Sequence, residues 1–182
     1  MFRDVRSLWK DWARGVEAIA AVEAALIFPI LLVMLLGTFD AGRGLLAAQK
    51  TIRAAQVTAD LVARHRSVTD TDLDEAITGG QLSMAPYDTT SYGVDMVSLE
   101  FEDDGDIVSL WCETRNSPVN TNITNSLGAL AVPGEGIIAV TVRFDYEPTF
   151  SGFVFDTIEM QEIAYARGRL TSTVPHVSRN GC

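Results

Sequence analysis

The run Ala18–Leu36, "AIAAVEAALIFPILLVMLL", constrains this chain more than any other part of it. It is apolar at every position but Glu23. Nineteen residues of helix at ~1.5 Å per residue span about 28 Å, close to a ~30 Å hydrocarbon core. A secretory h-region is shorter, ~7–15 residues, and ends at a small-x-small cleavage site. Here the following residues are "GTFDAGRGLL", whose best match, Thr38-Phe39-Asp40, is poor. A membrane anchor is therefore the reading, with a cleaved signal and a buried core helix as the alternatives. Four basic residues precede the span (Arg3, Arg6, Lys10, Arg14) and three follow within about twenty residues (Arg43, Lys50, Arg53). The positive-inside count is thus nearly tied. An N-terminus-in orientation is expected because a large acidic domain translocates whatever the local charge.

The rest of the chain is asymmetric in charge. Residues 1–69 carry nine Lys and Arg against six acids, net +3; residues 70–182 carry five Arg and eighteen acids, net −13. A part so negative repels nucleic acid and anionic lipid, so neither is expected as its partner. The length of 182 residues with 47% apolar content suits one domain and an appendage. Two cysteines, Cys112 and Cys182, form an even pair. In an exported domain such a pair reads as a disulfide tying the C-terminal tail to the strand near Trp111; two unrelated thiols are the alternative.

Along the chain, residues 1–17 form a mixed-charge leader with Trp9 and Trp12 near the interface, and 18–36 the span. Beyond it, apolar residues recur at Leu45, Ala48, Ile52, Ala55, Ala59 and Val62, the steps of one helix face. One helix over about 17–66 is expected, with Gly37, Gly42 and Gly44 permitting a bend and Pro29 tolerated within the span. Residues 37–66 are its extramembrane continuation and 67–182 an exported domain. That domain opens on a short helix at 71–78, capped by Asp70 and stopped by Gly79-Gly80. "VDMVSLEF" and "IVSLWCE" alternate around an Asp104-Gly105 turn, a hairpin pattern. Residues 116–126 read as a polar loop and "GIIAVTVRFDYEP" as the strongest strand. "TFSGFVFDT" is a loop or short helix whose Phe150, Phe153 and Phe155 supply core or dock on the long helix. "IEMQEIAYARGRLTST" ends in a last strand. The fold class is α+β: a long N-terminal transmembrane helix continuing into a small antiparallel sheet.

Little in the chain points to catalysis. His65 and His176 have no nucleophile motif nearby, and no G-x-S-x-G, H-E-x-x-H, C-x-x-C or P-loop occurs. Asp70-Thr71-Asp72-Leu73-Asp74 imitates a calcium loop, but Glu75 replaces its glycine and Gln81 its bidentate Glu. Helix capping explains those acids, and a solvated hairpin tip explains "EFEDDGD" at 100–106. No enzyme activity, cofactor or metal is expected.

The leader, the apolar helix with one early glutamate and the sheet domain share the layout of type IV pilins and pseudopilins. More specifically, "AVEAALIFPILLVMLLGTFDAGR" resembles the "AVEFALI-P-LL" start of the TadE/TadG-like family, pilin-like minor components of tight-adherence (Flp/Tad) pilus systems. Ala21, Val22, Glu23, Ala25, Leu26 and Pro29 fall where that pattern has them, and "YARGRLTSTV" is similar to the family's closing stretch. The resemblance implies a type IV pilin-like, non-enzymatic protein of the bacterial inner membrane with a periplasmic C-terminal domain. Its partners would be the membrane, other pilin-like subunits, the Tad assembly machinery and a prepilin peptidase. Processing that places the glutamate at mature position five would cut after Ala18 and leave Ile19 first. A cut after Gly15, leaving Val16, or no cut at all are the alternatives. A carboxylate within a bilayer costs at least ~2.5–3.5 kcal/mol on insertion scales and usually has a partner. The resemblance implies a processed N-terminal amine as that partner; an interfacial or protonated Glu23 is the simpler alternative. Ala20/Ala24 and Ala21/Ala25 would let a second helix approach, and Leu45, Ile52, Ala59 and Val62 would be the packing face outside the membrane. A membrane-anchored periplasmic binding or sensor domain is the competing reading.

Overall fold

The computed structural model describes residues 16–182 apart from 124–126, 128, 129, 151 and 153–155, with side chains from residue 19 onward. The leader at 1–15, and Phe153 and Phe155, lie outside the described residues. Two helices precede four strands: α1 (Val16–Ala63), α2 (Asp70–Ser83), β1 (Gly93–Phe101), β2 (Ile107–Arg115), β3 (Gly136–Tyr146) and β4 (Ile158–Ala166). The architecture is α+β, a long apolar helix followed by a small antiparallel sheet.

Helix α1 runs unbroken for 48 residues, about 72 Å at ~1.5 Å per residue. Pro29 lies inside it, and the three glycines interrupt nothing. It ends at Ala63, three residues short of expectation, in a tightened turn where Arg64 and His65 donate to the carbonyls of Leu61 and Val62. Arg169 N–H then donates to the Ala63 carbonyl at 2.9 Å, so the returning chain closes the helix end.

Helix α2 differs from the sequence expectation at both ends. Its cap is Thr69, not Asp70: the Thr69 hydroxyl accepts from Asp72 N–H, and the Asp72 carboxylate accepts from Thr69 N–H at 2.8 Å. This reciprocal box satisfies two donors that a helix start leaves orphaned. Gly79-Gly80 does not stop the helix, which runs on to Ser83. A Cβ on Gly80 would lie 2.3 Å from Thr58 Oγ1, and one on Gly79 2.6 Å from Leu61 Cδ1. The glycines are where α2 meets α1 with no room for a side chain.

The sheet is antiparallel throughout, in the order β2-β1-β3-β4. The β1–β2 hairpin turns at Gly105, whose φ of +93° favours glycine. A bulge between Ser98 and Leu99 breaks the register with β2. Helix α1 crosses β3 and β4, and α2 lies beside it. Val94, Met96, Trp111, Ile138, Val140 and Val142 face the helices in one core. Leu99, Phe101, Ile137 and Ala139 face the other way, under Ile123 and Leu127 of the β2–β3 connection. The central strands are therefore covered on both faces, which is why β3 reads as a nearly continuous apolar run rather than an alternation.

Candidate functional site

Most of the residues singled out in the sequence lie along α1 and at the tail. From Ile19 to Phe39 the helix projects from the domain. No part of its most apolar window, mean hydropathy 2.7, is buried within the molecule. Leu26, Phe28, Ile30, Met34 and Leu35 all face outward. So much contiguous apolar surface is not stable in water, and the segment is long and apolar enough to cross a membrane. Glu23, Ala20, Ala21, Ala24 and Ala25 are all exposed on this helix. Among the described residues the Glu23 carboxylate has no hydrogen-bond or ionic partner. Of the processing-site candidates, Gly15 lies outside the described residues, Val16 and Ala18 are described by their helical backbone alone, and Ile19 is exposed.

Where the helix meets the domain, Asp40 makes a junction that sequence reading missed. Its side chain is buried, 4% exposed, on a helix otherwise bare at that level. Its two carboxylate oxygens accept from the backbone N–H groups of Thr149 (3.1 Å) and Phe150 (2.8 Å), and its carbonyl accepts from the Tyr146 hydroxyl at 3.1 Å. One turn on, Arg43 donates to Thr149 Oγ1 at 2.8 Å and lies 5.9 Å above the rings of both Phe39 and Tyr87. The Tyr87 hydroxyl donates to the Arg43 carbonyl at 2.6 Å. Phe150 stacks edge-on to Phe39 at 5.6 Å, so this member of the phenylalanine group docks on the helix. Gly44 admits the Tyr146 ring, which a Cβ would approach to 3.3 Å. An acid three residues past a glycine in an apolar run was the available signal. Beside this junction lies a groove of about 390 Å³ walled by Ala41, Leu45, Tyr146, Pro148, Ile158 and Met160.

The expected face Leu45, Ile52, Ala59, Val62 does not form one surface. Leu45 and Ile52 are 63% and 40% exposed, whereas Ala59 and Val62 are 1% exposed inside the domain. The buried stripe is Ala47, Thr51, Ala54, Ala55, Thr58, Ala59, Val62 and Ala63. Small residues turn inward because α2 and the sheet approach α1 closely; the larger ones are left outside.

The acids that imitate a calcium loop are engaged within the protein. Asp72 completes the Thr69 box, whose hydrogen bonds hold its carboxyl below the ordinary value. Asp74 pairs with Arg115 at 3.1 Å, and Asp70 with Arg179. Arg179 also pairs with the buried Glu113. Among the described residues no group of three or more His, Cys, Asp or Glu is placed to hold a metal.

The tail returns across the helix ends. Val68 N–H donates to the Pro175 carbonyl and Val177 N–H to the Val68 carbonyl, both at 2.9 Å. The Val174 carbonyl accepts from Trp111 Nε1 at 2.8 Å and Ser98 Oγ at 3.0 Å. Gly181 N–H donates to the Leu110 carbonyl at 2.7 Å, pairing the last residues with β2. Cys182 is thereby brought to Cys112, and both line one pocket. Both are thiols, Cys112 half-buried and Cys182 exposed.

Residues 18–60 match the family model described as TadE-like protein. The matched stretch covers both the bare apolar part of α1 and most of the part packed on the domain. No curated protein and no solved structure matches the chain.

Proposed function

We propose that this protein is a non-enzymatic, TadE-like minor pilin or pseudopilin that acts in Tad pilus assembly through helix packing in the inner membrane. The observation that carries this reading is the match over residues 18–60, whose N-terminal half is an apolar stretch of helix left bare by its own domain. The helix crosses the membrane once with its N-terminus cytoplasmic, and the sheet domain is periplasmic. Glu23 pairs with an N-terminal amine, its own or a neighbour's, which removes the cost of an uncompensated charge and sets the register between packed helices. Ala20, Ala21, Ala24 and Ala25 admit the neighbour, while Leu45, Ile52 and the groove beside Pro148 extend the packing surface outside the membrane.

The mature N-terminus tests this, by intact mass of the membrane-extracted protein with and without the prepilin peptidase. A chain beginning at Ile19 that is lost without the peptidase is the expected result, and Glu23→Gln should then preserve export but reduce piliation. Normal piliation in that variant would refute the pairing role. A chain that is never cut and does not affect piliation would favour an anchored binding or sensor domain.

A further inference from the structure

The end of the domain nearest the span carries a pocket outside the helix-packing surface. Asp40 is four residues past Leu36, about 6 Å along the helix at ~1.5 Å per residue, and it holds the backbone of Thr149 and Phe150. The segment around Phe150 therefore sits at the outer edge of the hydrocarbon. Arg43, about 10 Å past Leu36, points back over Phe39, one turn nearer the membrane, and so reaches the headgroup layer. Here a pocket of about 470 Å³ is lined by Arg43, Tyr87, Asp88, Asp145, Tyr146 and Glu147. Arg43 is held in place: its guanidinium donates to Thr149 Oγ1 at 2.8 Å and lies 5.9 Å above the Phe39 and Tyr87 rings. Among the described residues, however, neither Arg43 nor Asp88, Asp145 or Glu147 has an ion-pair partner. Opposite charges that share a pocket but lie beyond ion-pair reach suit a ligand that carries both signs. Three acids beside one cation disfavour a ligand that is only anionic. Below the pocket, Phe39, Leu35 and Leu32 lie on the Arg43 face of the helix, in steps of four, four and three residues. They are 51%, 67% and 42% exposed.

We propose that this pocket binds the headgroup of a zwitterionic phospholipid with a free ammonium group, one acyl chain of which lies along Phe39, Leu35 and Leu32. The phosphate takes the remaining N–H groups of Arg43, whose planar fork matches it and whose stacking on two rings orients it. The ammonium lies among Asp88, Asp145 and Glu147, beside the Tyr87 ring. The arginine thus supplies affinity, and the acids supply selectivity against headgroups of net negative charge. The bound lipid fills the angle between span and domain and ties the domain to the bilayer surface at a second point. This site rests on the spanning helix and not on the pilus role.

The test uses the full chain, stripped of lipid in detergent and offered an equimolar mixture of phosphatidylethanolamine and phosphatidylglycerol with identical acyl chains. Native mass spectrometry counts the lipid retained. The wild type should prefer phosphatidylethanolamine about ten-fold, the worth of one charge-assisted hydrogen bond. Arg43→Gln should lower retention of both lipids about ten-fold on the same scale. The double variant Asp145→Asn, Glu147→Gln, which changes two exposed side chains, should hold both lipids equally. Lipid held by the bare helix alone would show no headgroup preference and no response to Arg43→Gln. That result would overturn the proposal, as would a wild-type preference for phosphatidylglycerol. If Arg43→Gln does not fold, the wild-type preference and its loss in the double variant decide. Alkaline carbonate extraction separates the two ways of failing. A chain that stays in the membrane without a headgroup preference loses the lipid site alone; one that is released loses the span as well.

Discussion

Asp40 and Asp95 are both acids in apolar surroundings, and the structure assigns them opposite energetic roles. Both Asp40 oxygens accept backbone N–H groups that would otherwise be unpaired at the helix–domain junction. Asp40→Ala should lower stability by about 1–3 kcal/mol, the scale of buried donors left unmade. Thr38→Ala should stay within about 0.5 kcal/mol, since Thr38 only donates back to its own helix at Met34. Thermal unfolding of the two variants in the same detergent checks the contrast. At Asp95 burial raises the carboxyl above the ordinary 3.8, against the Asn120 hydrogen bond and Arg143. A raised folded value makes the group's stabilisation complete below the unfolded value; it is lost as pH rises through the folded one. Each unit of separation is worth about 1.4 kcal/mol. Asp95→Asn should therefore unfold at a higher temperature than the wild type at pH 7, and the gap should close below about pH 4. A gap independent of pH would show that the carboxyl is not strained by burial.

Among the elements, the contact between α1 and α2 depends on absent side chains. A Cβ on Gly80 would lie 2.5 Å from the Tyr92 hydroxyl and closer still to Thr58. Gly80→Ala should cost about 1–3 kcal/mol through overpacking. Gly42→Ala, with nothing within 4 Å of the new atom, should be neutral or stabilise by up to ~1 kcal/mol through helix propensity. Denaturant midpoints of the two variants would test this; equal losses would mean that the helices do not meet so closely. The reason that Gly79-Gly80 reads as a helix stop in the sequence is the same reason it fails as one. Local propensity disfavours glycine in a helix, and close packing against Thr58 and Leu61 outweighs it.

At the scale of the molecule, two surfaces of different character share one helix. Residues 19–39 of α1 are apolar and bare, whereas 47–63 bury a stripe of Ala, Thr and Val under a domain of strong negative charge. The full chain should therefore remain in the membrane pellet after alkaline carbonate extraction, which strips proteins held by charge alone. Release into the supernatant would exclude a spanning helix and favour a cleaved signal. The acidic domain should add no affinity for nucleic acid, because its net charge opposes the counterion-release term that drives such binding.

The run Ala18–Leu36, the unbroken helix after it, the hairpin around Asp104-Gly105 and the β-branched strand at 136–146 were legible without coordinates. Each is set by local chemistry: apolar length, helix propensity, turn geometry and strand composition. The match of residues 18–60 to TadE-like proteins falls on that legible part. What only the tertiary structure decided depends on residues distant in sequence. It chose Ala47, Thr51 and Ala54 over Leu45 and Ile52 as the inward face, because closeness of approach, not hydrophobicity, selects what lies against a neighbouring helix. It joined Asp40 to Thr149 and Phe150 and engaged Asp70 and Asp74 with Arg179 and Arg115. It also carried Cys182 back to Cys112 beside a buried carboxylate. A sequence displays periodicity along one strand or helix, but the partner of a buried charge is set by where the chain returns, and no local pattern encodes that return.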